Sequence, residues 1–579
     1  MYKLLGTLLL TPLLASAASQ SPKYCPLLGP VFPAPQNLNN NPTWQNLKQE
    51  ITTTLHTQIQ QIKDSPDLSS TLNFTSTSFA LQIFSTTDRF PLLSETYTSE
   101  DAKGAEFGVR SVDEDTVFRI GSGSKLWTAL LLLKEMGDGV LADPVSLYVP
   151  ELAAAAADGV DDWVDGVRWD EITVGELVSH MAGIARDYGF LDLALQPDAL
   201  EAVGFPELPK EDVPPCGLTG ACGREDFFNG LLESHPIVPT GSTPKYSNAA
   251  YQILGYVIES ATNRKFEDLF QEELVDCLGL SNSYYTPPNT DLGIIPVDPL
   301  TSQWAVPTGD ETPAGGFFST AHDMSTVGRA ILNSTFLPPS TTRRWLKPLS
   351  HTTSPQLSIG APWEIYSFQD PRHIDLYAKD GDLGAYSSIL ALSPDHDVGF
   401  TILAAGESAS FVTRGLADVL GGILLPGLEE VARGEARGRF DGRYALAGEG
   451  SEISIVTDDD APGLRIKSWM SNGKNVFLAF MPRLGLTDPS KLELRLYPTG
   501  LVSPGKISFR AVPVSLEEGG LASLGMGPIT SVCTSWSSVG GQVYGNVGVD
   551  EFVFEVGEEG EVVGLSPRAM RVSLPRVEE

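Results

Sequence analysis

Apolar and polar positions follow two rhythms along this chain. Up to about residue 425, short apolar runs are interleaved with stripes of helical spacing; beyond about Glu429 nearly every apolar segment has the two-residue period of a strand. In the first region Ser78 to Phe84 and Val117 to Ile120 predict strands, and a polar helix is expected around Trp44 to Lys63. In the stretch FRIGSGSKLWTALLLLKEM, Leu126, Ala129, Leu130, Leu133 and Met136 recur on one helical face, and Gly137 and Gly139 end the helix. Val174 to Met181, Asn248 to Ser260, Ala321 to Leu332 and Ala409 to Leu425 predict further helices. Ile374 to Ala378, Tyr386 to Leu392 and the run from Val398 predict strands. The segment ARGEARGRFDG reads as a Gly/Arg-rich linker, and EISIVTD, LRIKSWM, NVFLAFMP, LELRLYPTG, KISFRAVPVS, EFVFEV and MRVSLPRV after it predict a β-barrel or sandwich.

Length and composition turn these rhythms into an organisation. A chain of 579 residues exceeds one ordinary core. The expected parts are a signal peptide at 1–18, an N-terminal arm and helix at 19–75, a mixed domain at 76–428 and an all-β domain at 429–579. Lys3, a leucine-rich run and the small residues Ala15, Ala17 and Ala18 make the leader, and the apolar run is shorter than the ~20 residues of a membrane span. No later segment is expected to span a membrane. A formal charge of -34 argues against nucleic acid and anionic membranes as partners.

Export predicts oxidised cysteines, but five leave one over, and Cys216 and Cys222 in the loop PPCGLTGACG are the expected local disulfide. No histidine stands at ligand spacing from them, so neither a metal nor a cofactor is expected. Asn73 and Asn333 open glycosylation sequons. The Pro-rich, acidic insertion from Leu191 to Pro215 is expected to shape an entrance.

Three stretches carry candidate chemistry. Ser122 and Lys125 lie one helical turn apart at the start of an apolar helix, where a hydroxyl and an ammonium meet and free N–H groups favour an oxyanion. Ser-x-x-Lys recurs at Ser242, Ser471 and Ser503, but only Ser122 enters an apolar helix. Tyr246-Ser247-Asn248 stands before a second helix and offers a phenol to relay a proton and a carboxamide to hold lysine or substrate. Lys379-Asp380-Gly381 is the single Lys-x-Gly of the chain; on a strand edge it supplies positive charge and a glycine that admits a substrate to the backbone.

Phe118 to Lys125, LVSHMAGI, PTGSTPKYSN, AGGFFSTAHDM and KDGDLGAYSS resemble, in the same order over about residues 75 to 425, the serine β-lactamase and penicillin-binding-protein superfamily, closest to its class C and esterase branch. The arm and the β-rich tail look like those of secreted fungal β-lactamase-like proteins. The resemblance implies an α+β fold: an antiparallel sheet flanked by helices, an all-helical subdomain, then a C-terminal all-β domain. It implies Ser122 as acylated nucleophile, Lys125 as its proton acceptor or organiser and Tyr246 as general base and acid. Asn248 would position substrate, Lys379 support Tyr246, Gly381 admit the substrate, and the N–H groups of Ser122 and Asp382 hold the oxyanion; His180 is read as structural. Lys125 and Tyr246 must both fall well below their ordinary pKa values and would titrate together.

Asp380 and Asp382 depart from the family pattern, and two acidic groups there are expected to repel a substrate carboxylate and disfavour β-lactams against esters and amides. The expected protein is a secreted serine hydrolase of a small molecule or peptide; an acyltransferase using the same site and a non-catalytic binding protein are the alternatives.

Overall fold

The computed structural model describes residues 24–578 except 66, 68–71, 191, 196–199, 201–202, 218–219, 370–371, 482–485, 517–528 and 530–531. The expected leader at 1–18 and parts of the insertion Leu191 to Pro215 lie outside the described residues. The chain forms two compact units, Trp44–Pro426 and the chain up to Thr43 together with Gly427–Glu579.

The first unit is built on an eight-stranded antiparallel sheet. Its order runs Leu93–Tyr97, Ser78–Ser85, Val398–Ala405, Tyr386–Ser393, Ile374–Leu383, Glu364–Phe368, Leu357–Ile359 and Ser350–His351. Ser78–Ser85, Tyr386–Ser393 and Val398–Ala405 are buried at every position, so both faces are covered there, one of them by helix Ala321–Leu332. Helix Ser124–Met136 is buried on all sides from Ser124 to Leu133 and packs against helices Ala249–Thr262 and Thr312–Gly315. Helix Pro42–Asp64 buries Trp44, Leu47, Ile51, Leu55 and Ile59, one stripe at intervals of three and four, so the stretch expected to be polar is amphipathic.

The second unit is an antiparallel sheet whose strands close on themselves. From Ser451–Val456 the order passes through Gly442–Leu446, Leu574–Val577, Val562–Pro567, Glu551–Val556, Lys506–Ser515 and Leu492–Ser503 to Leu464–Ser471. Leu464–Ser471 pairs back onto Ser451–Val456, giving a barrel, with Lys474–Asn475 as a side strand. Tyr444, Ile453, Ile466, Trp469, Leu494, Phe552 and Phe554 fill its core. Cys25 is disulfide-bonded to Cys533, which ties the N-terminal arm to this unit.

Two expectations fail here. The Gly/Arg-rich linker is helical: helix Ala409–Phe440 runs through it, with Leu428, Val431, Ala432, Ala436 and Phe440 buried. Gly434 and Gly438 look onto open space, so these glycines weaken the helix without interrupting its apolar stripe. The helix is long and apolar enough to cross a membrane by length and composition alone. Its positions Val412, Leu416, Leu420, Leu424 and Leu428 are buried at intervals of four, the pattern of a helix with one packed face. NVFLAFMP is not a strand either: Val476–Ala479 is a 3₁₀ turn, capped by the Asn475 side chain accepting from the Phe477 N–H.

Candidate active site

Ser122 lies in the 3₁₀ turn Gly121–Gly123, between the two-residue strand Phe118–Arg119 and the helix that starts at Ser124. Several buried bonds hold this turn. Ile120 N–H donates to the Phe317 carbonyl at 3.0 Å, and the Ser388 hydroxyl donates to the Ile120 carbonyl at 2.6 Å. The Ser124 hydroxyl donates to the Gly121 carbonyl at 2.7 Å and accepts from Phe317 N–H at 3.0 Å. Gly121 has φ +50, and a Cβ there would come within 2.7 Å of the Asp382 backbone. A Cβ on Gly381 would come within 2.2 Å of the Ile120 carbonyl oxygen and 2.6 Å of the Ser122 nitrogen. Both glycines are therefore required for the turn and strand Ile374–Leu383 to touch backbone to backbone.

The three predicted stretches converge. Lys125 Nζ donates to Ser122 Oγ at 3.0 Å, to Asn248 Oδ1 at 2.6 Å and to the Ala314 carbonyl at 2.5 Å. Tyr246 Oη lies 2.7 Å from Ser122 Oγ and donates to it. The ammonium groups of Lys125 and Lys379 stand 5.0 Å and 5.4 Å from the Tyr246 ring centre. His180 stacks on that ring at 4.3 Å, and its Nδ1 accepts from Ser247 N–H at 3.2 Å, so it fixes the phenol by packing.

Burial and charge act together on these groups. Burial pushes Lys125 below the ordinary lysine range; Tyr246 opposes this and Lys379 reinforces it. On Tyr246 burial acts upward, but Lys125 and Lys379 outweigh it and lower the phenol. On Lys379 burial acts against the charge, yet Glu364, Tyr246 and Asp380 more than compensate and raise it, so this lysine stays an ammonium. Burial thus weakens the hold of one lysine on its proton, while acidic neighbours secure that of the other. His180 is driven well below its ordinary value by burial, with Lys125 and Lys379 adding to it, and stays a neutral ring.

Four acidic or basic groups were not found in the sequence. Glu364 accepts from Lys379 Nζ at 2.5 Å, and burial pushes it up to about 7 against the pull of that lysine. Asp187 accepts from Asn248 Nδ2 at 2.6 Å and pairs with Arg186 at 3.3 Å. Glu311 lines the cavity, and burial, with Asp187 adding to it, pushes it up to about 7. Arg414 bonds Asp380 and Asp382, each at 2.7 Å. This last pair of contacts weakens the expected charge repulsion: the two acidic groups face a guanidinium that offsets one of their charges.

Above Ser122 opens a cavity of about 460 Å³, lined among others by Arg119, Asn248, Glu311, Ala314 and Asp382. The Arg119 guanidinium is buried, donates to the carbonyls of Gln303 and Val306 and lies 4.8 Å from the Phe318 ring, where burial pulls it down to about 10. Phe190 and Ala221 also line the cavity; no described residue of Leu191 to Pro215 does.

Cys216 is disulfide-bonded to Cys222, next to Ala221, and Cys277 is free and exposed. Asn333 is exposed; Asn73 is half-buried, with its carboxamide donating to Glu407 at 3.1 Å. Among the described residues no cluster of three or more His, Cys, Asp or Glu is arranged to hold a metal.

A serine reached by a lysine one turn on and by a tyrosine from a second motif, beside a lysine on the sheet edge, is the arrangement expected of the β-lactamase and penicillin-binding superfamily. The family model described as Beta-lactamase matches residues 98–421, and the chain belongs to that family. A second model, described as Beta-lactamase-like-like, C-terminal domain, matches residues 432–578. The chain is 28% identical to a beta-lactamase-like protein of Arthroderma benhamiae over 96% of each chain. It is 26% identical to a probable hydrolase of a Phoma species over 71% of this chain and 69% of that one. A beta-lactamase/D-alanine carboxypeptidase structure from Yersinia pestis aligns with 63% of this chain and 100% of its own at 19% identity and a TM-score of 0.46.

Proposed function

We propose that the protein is a secreted serine hydrolase that cleaves an ester, amide or lactam of a small molecule or peptide through an acyl-enzyme on Ser122. The observation that carries this reading is the double contact on one oxygen: Ser122 Oγ is met by Lys125 Nζ at 3.0 Å and by Tyr246 Oη at 2.7 Å. With Lys125 neutral or Tyr246 ionised, the Ser122 proton passes to that pair as Oγ attacks the carbonyl carbon. Negative charge then develops on the carbonyl oxygen, where the N–H groups of Ser122 and Asp382 are assigned to stabilise it. Tyr246 returns the proton to the leaving atom, and water releases the acyl group by the same route. Asn248 holds Lys125 and, with Asp187, stays oriented toward the substrate. Lys379, kept charged by Glu364, favours the phenolate.

Two disulfides support export to an oxidising compartment, and Asn333 is the more exposed of the two sequons, its carboxamide donating to the Thr86 carbonyl at 3.3 Å. Because Arg414 pairs with Asp380 and Asp382, lactams stay within the substrate class. Incubation with a fluorophosphonate and with a penicillin, read by intact mass, tests the assignment. One adduct that maps to Ser122 and vanishes in Ser122→Ala is expected; no adduct, or one that persists in Ser122→Ala, overturns it.

A further inference from the structure

Glu311 is the cavity group that the acylation chemistry leaves unused. It stands one helical turn before Ala314, whose carbonyl accepts from Lys125. Its carboxyl lines the same cavity as Ser122 and makes no hydrogen bond to any described residue. The two cations of the wall are engaged elsewhere. Arg186 pairs with Asp187, and Arg119 donates to the carbonyls of Gln303 and Val306. Asp187 is itself bonded by Asn248. Glu311 is half-buried, with its carboxyl open to the cavity, so a ligand there can supply the donor that the protein does not.

The charged groups that Glu311 faces are Asp187 and Lys125. Both shape what can bind. The Lys125 ammonium is already engaged by Ser122, Asn248 and the Ala314 carbonyl rather than by Glu311, and Asp187 adds a second carboxyl. The partner that suits this corner is therefore a cationic donor rather than an anion. Because Tyr246 is assigned to the leaving atom, a group held beside Glu311 belongs to the acyl portion of the substrate. We infer that Glu311 is a specificity residue that receives a primary ammonium group on the acyl part of an ester or amide. This rests on the serine-hydrolase reading above and narrows its substrate class.

Phenyl esters with a free amine one to five carbons from the carbonyl, each compared with its N-acetyl twin, test the inference on the full-length protein. For at least one spacing the free amine should be preferred by roughly tenfold to a hundredfold in kcat/KM, the range of a hydrogen bond to a charged group. In Glu311→Gln, which keeps the shape of the side chain, that ratio should collapse to about one. Labelling of Ser122 by the fluorophosphonate reports that the variant is folded. The inference is overturned if the wild-type protein shows no preference at any spacing. It is also overturned if Glu311→Gln lowers both twins alike and leaves the ratio in place. Loss of wild-type labelling at Ser122 would instead strike the serine-hydrolase reading, so the two failures are told apart.

Discussion

Two fully buried cations in the two units have opposite surroundings. In the barrel unit Arg495, 1% exposed, donates to Asp458 at 2.5 Å, to Glu493 at 2.9 Å and to the carbonyls of Pro462 and Gly463. Burial works against its charge, but these carboxylates prevail and hold it above the usual arginine value. In the catalytic unit Lys125, 0% exposed, has only neutral oxygens as hydrogen-bond partners and is pushed the other way. Equal burial thus goes with a cation held firmly charged in one place and, in the other, with a lysine pushed toward releasing its proton, as the proposed proton acceptor must be. The choice of partner, carboxylate or neutral oxygen, decides which.

The sharpest way to break this contrast is to remove each cation in turn. Lys125→Met should lower kcat/KM by roughly a thousandfold or more, by loss of the proton acceptor, while leaving thermal unfolding nearly unchanged because no buried carboxylate loses its partner. Arg495→Met should do the converse. It strands Glu493, leaves Asp458 to Arg465 alone, costs about 1–3 kcal/mol in denaturant unfolding and leaves the rate of Ser122 labelling in the folded protein unaltered. If Lys125→Met unfolds the protein and Arg495→Met does not, the contrast is wrong.

Two smaller effects sharpen it. Gly381→Ala should cost on the order of a hundredfold in kcat/KM, because the new Cβ pushes the Ser122 turn away from its strand. Lys379→Ala removes a cation that lowers both Lys125 and Tyr246, so both pKa values should rise. The acid limb of the kcat/KM profile, where the base becomes protonated, should therefore move to higher pH, and a limb that stays in place or moves to lower pH would contradict the assignment.

The core of the site was legible because Ser122, Lys125, Tyr246, Asn248 and Lys379 each lie in a short stretch whose own turn or strand sets their direction. Glu311, Asp187, Glu364 and Arg414 were not, because each gains meaning from a group far along the chain: Arg414 meets Asp382 across 32 positions. The sheet and the apolar helices followed from periodicity, although the strand expected at Ile374 to Ala378 continues to Leu383 along its partner Tyr386–Ser393. The segment around Gly434 and Gly438 was misread because composition outweighed spacing; Leu428, Ala432, Ala436 and Phe440 already repeat every four residues. In NVFLAFMP the buried Val476, Phe477, Phe480 and Met481 likewise recur one turn apart, a spacing no strand has.

Helix Pro42–Asp64 also has a protective consequence. It lies beside the border strand Leu93–Tyr97, where Thr52 donates to Glu95 at 3.0 Å and Lys63 donates to Tyr97 at 3.3 Å. Uncovered, that border would offer its unpaired peptide groups to neighbouring molecules as a template for fibrous self-association, a hazard the closed barrel confines to the two-residue side strand Lys474–Asn475.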